Sequence, residues 1–251
     1  MKNLIYLLFA LLFLISCAAK DPDIGNKKEI AIATQGRGEG YYNSGQYTAA
    51  LKQLLDAYKT IPNDPYLNNS LGLVYMAKNR DDLALKHFKK ALNLKPDYIQ
   101  AKNNLGATYL RQKKWKSAIQ CFEEISENLL YATPEMPLSN LGWVYFHQEM
   151  YGKAKTYFEK SLEIRPNFLF AVHGLASIYI ETARYTKAKK FLDHALVKNP
   201  EAAVLHSDLA KVYEELRDFN NARKSWEVVL QIAPETSPLA REAEKRLLEL
   251  N

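Results

Sequence analysis

Small and apolar residues recur along this chain with a nearly fixed period. Five segments share a core in which an apolar residue precedes glycine or alanine and a tyrosine follows three positions later: L-G-L-V-Y (71–75), L-G-A-T-Y (105–109), L-G-W-V-Y (141–145), L-A-S-I-Y (175–179) and L-A-K-V-Y (209–213). A degraded copy, R-G-E-G-Y, occupies residues 37–41. The small residues are spaced by 34, 34, 36, 34 and 34 positions and are Gly38, Gly72, Gly106, Gly142, Ala176 and Ala210. Because residues three apart share a helical face, each segment predicts an amphipathic helix.

A second pattern follows each small residue at a constant distance. An alanine comes twelve positions later, at Ala50, Ala84, Ala118, Ala154, Ala188 and Ala222. A large apolar residue lies four positions beyond it, at Leu54, Phe88, Phe122, Phe158, Leu192 and Trp226. Prolines, which cannot continue a helix, close most units at Pro62, Pro96, Pro166, Pro200 and Pro234. The two patterns together predict pairs of antiparallel helices whose small residues allow a close approach.

A helix–turn–helix unit of 34 residues with these features resembles the tetratricopeptide repeat, and the resemblance covers residues 31–234. It implies an all-α fold, a superhelical solenoid of six tetratricopeptide helix–turn–helix repeats followed by a C-terminal capping helix. The repeat region is expected over 31–236, divided into 31–64, 65–98, 99–134, 135–168, 169–202 and 203–236. The capping helix is expected over 237–251, where Ser237 and Pro238 form a typical helix start.

The N-terminal residues have the pattern of an export signal. Lys2 precedes twelve apolar residues, Leu4 to Ile15, which are too few to cross a bilayer core permanently. The following L-I-S-C, residues 14–17, resembles the lipobox of bacterial lipoproteins. This resemblance implies a signal peptide over 1–16 and fatty acylation of Cys17, with chains such as palmitate forming a lasting anchor. An ordinary signal peptide with an incidental cysteine is the alternative.

The resemblance to lipoproteins also implies a location. Ala18 stands where an aspartate commonly retains a lipoprotein at the inner membrane, so the periplasmic face of the outer membrane is expected, although this sorting rule varies between bacteria. Residues 17–30 are then expected to form a short polar tether. Cys121 is the other cysteine and has no intramolecular partner if Cys17 carries lipid. We expect it to pack as a small apolar residue.

Composition and charge do not add a nucleic-acid role. Hydrophobic residues make up 47% of the chain, as in ordinary folded proteins. The formal net charge is +6, but the basic residues are interleaved with 28 acidic residues. The densest basic cluster, residues 111–116, is expected to be a solvated turn.

The sequence offers little catalytic chemistry. Q-G-R-G-E-G (35–40) is rich in glycine, but it lacks the preceding strand and the following Lys-Ser or Lys-Thr of a phosphate-binding loop. The five histidines, His87, His147, His173, His194 and His206, show no zinc-ligand spacing. We therefore predict a protein that is not an enzyme and has no cofactor, metal or small-molecule substrate.

The first helix of each repeat is expected to line a concave groove that binds a protein partner. Projecting the repeat onto the chain places these residues in the groove: Tyr66, Asn69, Leu73, Met76, Asn103, Leu110, Met136, Trp143, Phe146, Phe170, His173 and Ile180. The ninth positions of the six repeats are Glu39, Leu73, Ala107, Trp143, Ser177 and Lys211, which lack the Lys, Asn and Arg of a carboxylate clamp. A hydrophobic peptide or an amphipathic helix is the expected ligand, although packing against neighbouring helices could equally explain single residues.

The extra two residues between the third and fourth repeats carry a second resemblance. Pro134 and Pro137 replace the usual single proline there. L-Y-A-T-P (130–134) followed by N-L-G-W-V-Y (140–145) resembles the type IV pilus biogenesis lipoproteins, the pilotins that help assemble the outer-membrane secretin. That resemblance implies a non-catalytic scaffold with a secretin subunit as partner. A general adaptor for envelope assembly, proteolysis or cell-wall enzymes stays open, and the insertion itself is equally explained by drift in a surface turn.

The lipobox gives the first prediction. Replacing Cys17 with serine should leave a soluble or unprocessed protein that no longer sediments with the outer membrane, because the site of acylation is lost. Membrane fractionation measures this, and Cys121→Ser is the matched control that should still sediment. Unchanged fractionation of the Cys17→Ser protein would show that the lipobox interpretation is wrong.

Overall fold

The computed structural model describes residues 22–127 and 133–250, with side chains from residue 26 onward. The expected signal peptide, Cys17 and most of the 130–134 motif lie outside these residues. The described part of the chain contains thirteen helices and no strand, which confirms the all-α fold class. The helices are α1 (Pro22–Asn43), α2 (Tyr47–Thr60), α3 (Pro65–Ala77), α4 (Asp81–Leu94), α5 (Ile99–Arg111), α6 (Trp115–Ser126), α7 (Glu135–Phe146), α8 (Tyr151–Ile164), α9 (Leu169–Glu181), α10 (Tyr185–Lys198), α11 (Ala203–Glu215), α12 (Phe219–Ile232) and α13 (Pro238–Glu249).

The first helix of every repeat ends in the same backbone motif. Seven positions after each small residue, the chain adopts a left-handed conformation, at Gly45, Asn79, Lys113, Glu149, Ala183 and Arg217. The next backbone amide donates to the carbonyl of the repeat's tyrosine, five positions earlier, at 2.8 to 2.9 Å. This hydrogen bond is that of a Schellman motif, which satisfies carbonyl groups left over at a helix end. The recurring tyrosine thus marks the point where each first helix stops and the chain turns back.

The chain divides into two compact units, Met1–Asn104 and Leu105–Asn251, with the division inside α5. In the first unit, α1 packs along α2 and α3 along α4. Leu54, Leu67, Leu71 and Val74 are fully buried between these helices. Asp64 caps α3 by accepting a hydrogen bond from the backbone amide of Leu67 at 2.8 Å, and proline occupies the first position of that helix.

Helix α1 begins earlier than the sequence suggested. Residues 22–30 are helical, so the described part of the tether expected over 17–30 is continuous with the first helix. Residues 26–30 are exposed and Ala31 is buried against α2, so burial along α1 starts at Ala31. The sequence did not predict this start because a helical segment with exposed side chains has no amphipathic period to detect.

In the second, third and fourth repeats, the glycine of the first helix lies directly against a phenylalanine ring of the second helix. A methyl group placed on Gly72 would lie 2.4 Å from the Phe88 ring, and one on Gly142 would lie 2.6 Å from Phe158. In the second unit, Phe158 is also covered from the other side by Gly174 of α9, at 2.3 Å from such a methyl group. Since Phe158 is completely buried, its ring has no space into which it could retreat.

The second unit ends in α13, which covers the last helical pair. Ala240 and Ala243 of α13 are buried against Trp226, whose indole nitrogen donates to Glu214 Oε1 at 2.6 Å. Arg246 of α13 forms an ion pair with the same Glu214 carboxylate. The last helical pair of a repeat array needs a helix that covers its apolar surface and turns a polar face outward, and α13 does this with small residues.

The turn that carries the insertion differs from the sequence interpretation. Helix α7 begins at Glu135, so Pro137 lies in the first helical turn and only Pro134 belongs to the connection. A proline is tolerated there because the first amides of a helix have no intrahelical acceptor. Residues 127–134 connect α6 to α7, compared with residues 61–64 between α2 and α3.

The ring contact at Phe158 predicts opposite effects for two glycine substitutions in the second unit. Gly174→Ala should lower the free energy of unfolding by about 1–3 kcal/mol, since the added methyl group overlaps a ring that cannot move. Gly152→Ala is the matched control in α8, where no atom lies within 4 Å of the new group. It should raise the free energy of unfolding by up to about 1 kcal/mol through helix propensity. Urea unfolding followed by circular dichroism measures both, and equal effects would contradict the packing argument.

Candidate functional site

The twelve residues expected in the groove divide between the two units. Tyr66, Asn69, Leu73, Met76 and Asn103 belong to the first unit, and the other seven belong to the second. The structure brings three residues of the first set together around one cavity. Met76 and Asn103 are half-buried outside that cavity.

The first-unit cavity has a volume of about 630 Å³ and is formed by helices α1 and α3 with the turn before α5. Its walls combine apolar surface with neutral and acidic polar groups. The lining residues are Ile32, Gln35, Glu39, Tyr42, Asn43, Leu54, Asp64, Tyr66, Asn69, Ser70, Leu73 and Tyr98. A mainly apolar concavity with a few polar groups is typical of ligand sites.

Two carboxylates give the cavity its polarity. Glu39 Oε1 accepts hydrogen bonds from Ser70 Oγ at 2.6 Å and from Gln35 Nε2 at 2.9 Å. Asp64 Oδ1 accepts the capping bond from the Leu67 amide. These three donors are neutral, so the carboxylate charges are oriented by hydrogen bonds without being cancelled.

Tyrosines close one side of the cavity. The rings of Tyr66 and Tyr98 meet edge to face with centroids 5.2 Å apart. Lys95 donates to Tyr66 Oη at 2.7 Å, and Asn69, which is buried, accepts a hydrogen bond from Asn104 Nδ2 at 3.0 Å. Burial raises the pKa of Tyr98 above its ordinary value, and the negative charges of Tyr66, Glu39 and Asp64 raise the pKa further, against an opposing hydrogen bond with Asn69.

The second unit carries an aromatic patch, defined as Trp143 and the three rings around it, Phe146, Phe170 and His173, together with Met136, which lies about two helical turns before Trp143 on α7. The Trp143 ring centroid lies 5.1 Å from those of Phe146 and His173 and 5.5 Å from that of Phe170. Only 8% of Trp143 is exposed, whereas 38% of Met136 and 43% of Phe170 are exposed. Trp143 therefore supports the patch from below and forms little of its surface, which corrects its expected role as a direct groove contact.

The polar groups of the aromatic patch differ in whether they have a hydrogen-bond partner. His173 Nδ1 lies 2.6 Å from Asp208 Oδ2, and Asp208 is buried. Burial raises the pKa of Asp208, and the contact with His173 lowers it in part. The indole nitrogen of Trp143 is buried and has no hydrogen-bond partner among the described residues. Leu110 packs against the Trp143 cluster, whereas Ile180 packs against the next core cluster of the same unit.

The sequence interpretation missed the contribution of α1 to the site. Ile32, Glu39 and Tyr42 line the cavity, whereas none of the twelve predicted groove residues belongs to α1. Gly38 was the available signal, because its contact with Leu54 brings α1 close to α2 and turns the next residue, Glu39, towards the cavity. Asp64 and Tyr98 lie in turns between repeats, where the repeat pattern predicts no groove residue.

No cluster of three or more His, Cys, Asp or Glu residues that could hold a metal occurs in residues 22–127 and 133–250. None of the described helices combines the length and the apolar character needed to cross a bilayer. Cavity and patch offer apolar surface, oriented carboxylates and exposed rings, which are groups that recognise a peptide.

The environment of Tyr98 makes the cavity's negative potential measurable. Glu39→Gln should lower the pKa of Tyr98, because the neutral amide no longer disfavours the phenolate. The pKa should stay above the ordinary value near 10, since burial is the larger cause. Titration of ¹³C-labelled tyrosine rings by NMR measures the change, and Glu29→Gln, on the exposed start of α1, is the control. An unchanged pKa of Tyr98 in the Glu39→Gln variant would show that the Glu39 charge does not act on the cavity.

Comparison with known proteins supports the repeat assignment. Residues 72–113 match a TPR repeat family, and residues 137–168 and 171–196 match tetratricopeptide repeat families. Over 130 residues the chain is 30% identical to the type IV pilus assembly protein PilF of Pseudomonas aeruginosa, and the match spans 52% of each chain, about half the length of that relative. Over 118 residues it is 35% identical to the anaphase-promoting complex subunit CDC16 of Saccharomyces cerevisiae, covering 44% of this chain and 14% of that protein.

Two solved structures resemble nearly all of the chain. A structure of Pseudomonas aeruginosa PilF covers 88% of this chain and 99% of its own, with a TM-score of 0.64 and 23% identity. A structure of PilW, described as a widely conserved type IV pilus biogenesis factor, covers 86% of this chain and 98% of its own, with a TM-score of 0.69 and 21% identity. At these identities the likeness concerns the fold. The chain therefore contains tetratricopeptide repeats within an all-α fold, and over 130 residues it is similar in sequence to the type IV pilus assembly protein PilF.

Proposed function

We propose that this chain is a non-catalytic protein-binding scaffold, anchored by lipid at the periplasmic face of the outer membrane, that promotes localisation and multimerisation of a type IV pilus secretin. The observation that carries the proposal is the 30% identity to PilF over 130 residues. The lipobox at residues 14–17 and the pilotin-like residues 140–145 support it from the sequence. The cavity and the aromatic patch supply binding surfaces of the required kind.

The mechanism divides between anchor and binding surface. Acyl chains on Cys17 hold the scaffold at the membrane, because two or more chains make dissociation slow. Exposed apolar side chains of the aromatic patch, Met136 and Phe170, cover apolar surface on a secretin subunit before the subunit meets its neighbours. Release of the secretin subunit into the multimer then requires only that its contacts with other subunits are stronger than its contacts with the scaffold.

A general envelope adaptor is the second candidate. The likeness to tetratricopeptide proteins of other assemblies, including CDC16, supports it, because the repeat itself does not specify the partner. Neighbouring genes for pilus components would favour the secretin, whereas neighbouring genes for proteases or cell-wall enzymes would favour the adaptor.

Substitution of the exposed patch residues tests the secretin proposal. Met136→Ala combined with Phe170→Ala should strongly reduce detergent-resistant secretin multimers and surface pili, since truncating interface anchors often costs about 2 kcal/mol or more in binding. Gel electrophoresis of the multimers and electron microscopy of pili measure the effect. Trp143 is left in place, because removing a side chain that is only 8% exposed would damage the fold itself.

The matched control lies on another helix of the same unit. Phe219→Ala truncates a similar side chain that is 52% exposed at the start of α12, outside the patch, and should leave multimers unchanged. Circular dichroism should show that all variants are folded. Normal secretin multimers in the double variant would contradict the role of the patch, and normal multimers at the outer membrane after deletion of the whole gene would contradict the secretin function.

A further inference from the structure

The charge of the first-unit cavity is opposite in sign to that of its surroundings. Residues 26–104 contain twelve lysines and arginines and seven aspartates and glutamates, so this region has a net charge of +5. Nevertheless, Glu39 and Asp64 are the two charged residues that line the cavity. A basic unit with an acidic concavity concentrates its negative potential at one place.

Neither carboxylate is neutralised by a basic side chain in the described part of the chain. The hydrogen bonds of Glu39 all reach Oε1, and the capping bond of Asp64 reaches Oδ1, so Oε2 and Oδ2 retain their capacity to accept. Lys95, at the edge of the cavity, donates to the Tyr66 hydroxyl instead. The raised pKa of Tyr98, caused first by burial and then by neighbouring charges that include both carboxylates, is a second sign of the uncompensated negative potential.

Apolar surface surrounds the two carboxylates. Ile32 and Leu73 line the cavity beside Leu54, and Ile32 is 50% exposed. Carboxylates in such partly desolvated surroundings interact with a cation more strongly than surface carboxylates do. Apolar side chains of a ligand would supply the affinity, and the charge would select which apolar peptide binds.

We infer that the first-unit cavity binds a peptide segment in which a lysine or arginine side chain stands beside large apolar side chains. The cation contacts Glu39 Oε2 and Asp64 Oδ2, and the apolar side chains cover Ile32, Leu54 and Leu73. The inference deepens the proposed protein-binding function by stating the chemistry of the partner, and it rests on that function.

Selection from a random peptide library displayed on phage tests the inference with the full-length protein. Peptides that bind the wild-type protein should be enriched in lysine and arginine next to apolar residues. The variant Glu39→Gln with Asp64→Asn should lose the basic enrichment and keep the apolar one. Glu29→Gln with Asp56→Asn removes the same charge from exposed positions of the first unit outside the cavity, and should select the same peptides as wild type.

A second experiment tests whether the basic side chain of the peptide contacts the carboxylates of Glu39 and Asp64. One selected peptide is synthesised with its basic residue or with norleucine, which is apolar and of similar length. Fluorescence anisotropy should show that norleucine weakens binding to the wild-type protein by about tenfold or more, as expected for charge-assisted hydrogen bonds. The same exchange should have little effect on binding to the Glu39→Gln, Asp64→Asn variant. Binding of the norleucine peptide to this variant also shows that the variant is folded.

Two results would overturn the inference. The first is a wild-type selection without basic enrichment, and the second is an equal loss from norleucine in the wild-type protein and the carboxylate variant. No secretin is present in either experiment, so a negative result here is distinguishable from failure of the secretin proposal.

Discussion

The contact between the glycine of a first helix and a large apolar side chain of the second helix is the interaction on which the first four helical pairs depend. At Gly72 and Gly142, the rings of Phe88 and Phe158 occupy the space that any side chain would take. This contact fixes the distance between the two helices and the face that each turns inward. All other positions of the first helix, including those available to a partner, follow from that orientation.

The residue directly after the small one illustrates the consequence. In the first unit, Glu39 and Leu73 hold this position and line the cavity, because a carboxylate and a leucine leave space between α1 and α3. In the fourth repeat, which belongs to the second unit, Trp143 holds it, and its buried indole packs against Phe170. The same backbone position thus gives a concavity in one unit and a protruding apolar surface in the other.

The sequence predicts the helical pairs well because their determinants are local and repeated. Small residues, tyrosines and capping groups such as Asp64 each act within one or two turns of helix. The start of α1 was not predicted, since the side chains of residues 26–30 are exposed and show no apolar period. Pro137 was assigned to a turn because a proline in the first turn of a helix has the same sequence signature. The cavity was missed in part because it needs α1, α3 and the turn before α5 together, which no local pattern encodes.

The negative charge of the cavity and the net positive charge of the first unit act over different distances. At physiological ionic strength, charges farther apart than about 8 Å are largely screened, so the basic exterior repels a cationic peptide only weakly. Within the cavity, Glu39 and Asp64 lie beside apolar walls where screening is small. A cation must also lose part of its hydration on entering, which offsets much of its attraction to the carboxylates. Affinity in such a site has to come from the apolar contacts with Ile32 and Leu73, and the carboxylates discriminate among ligands that already fit.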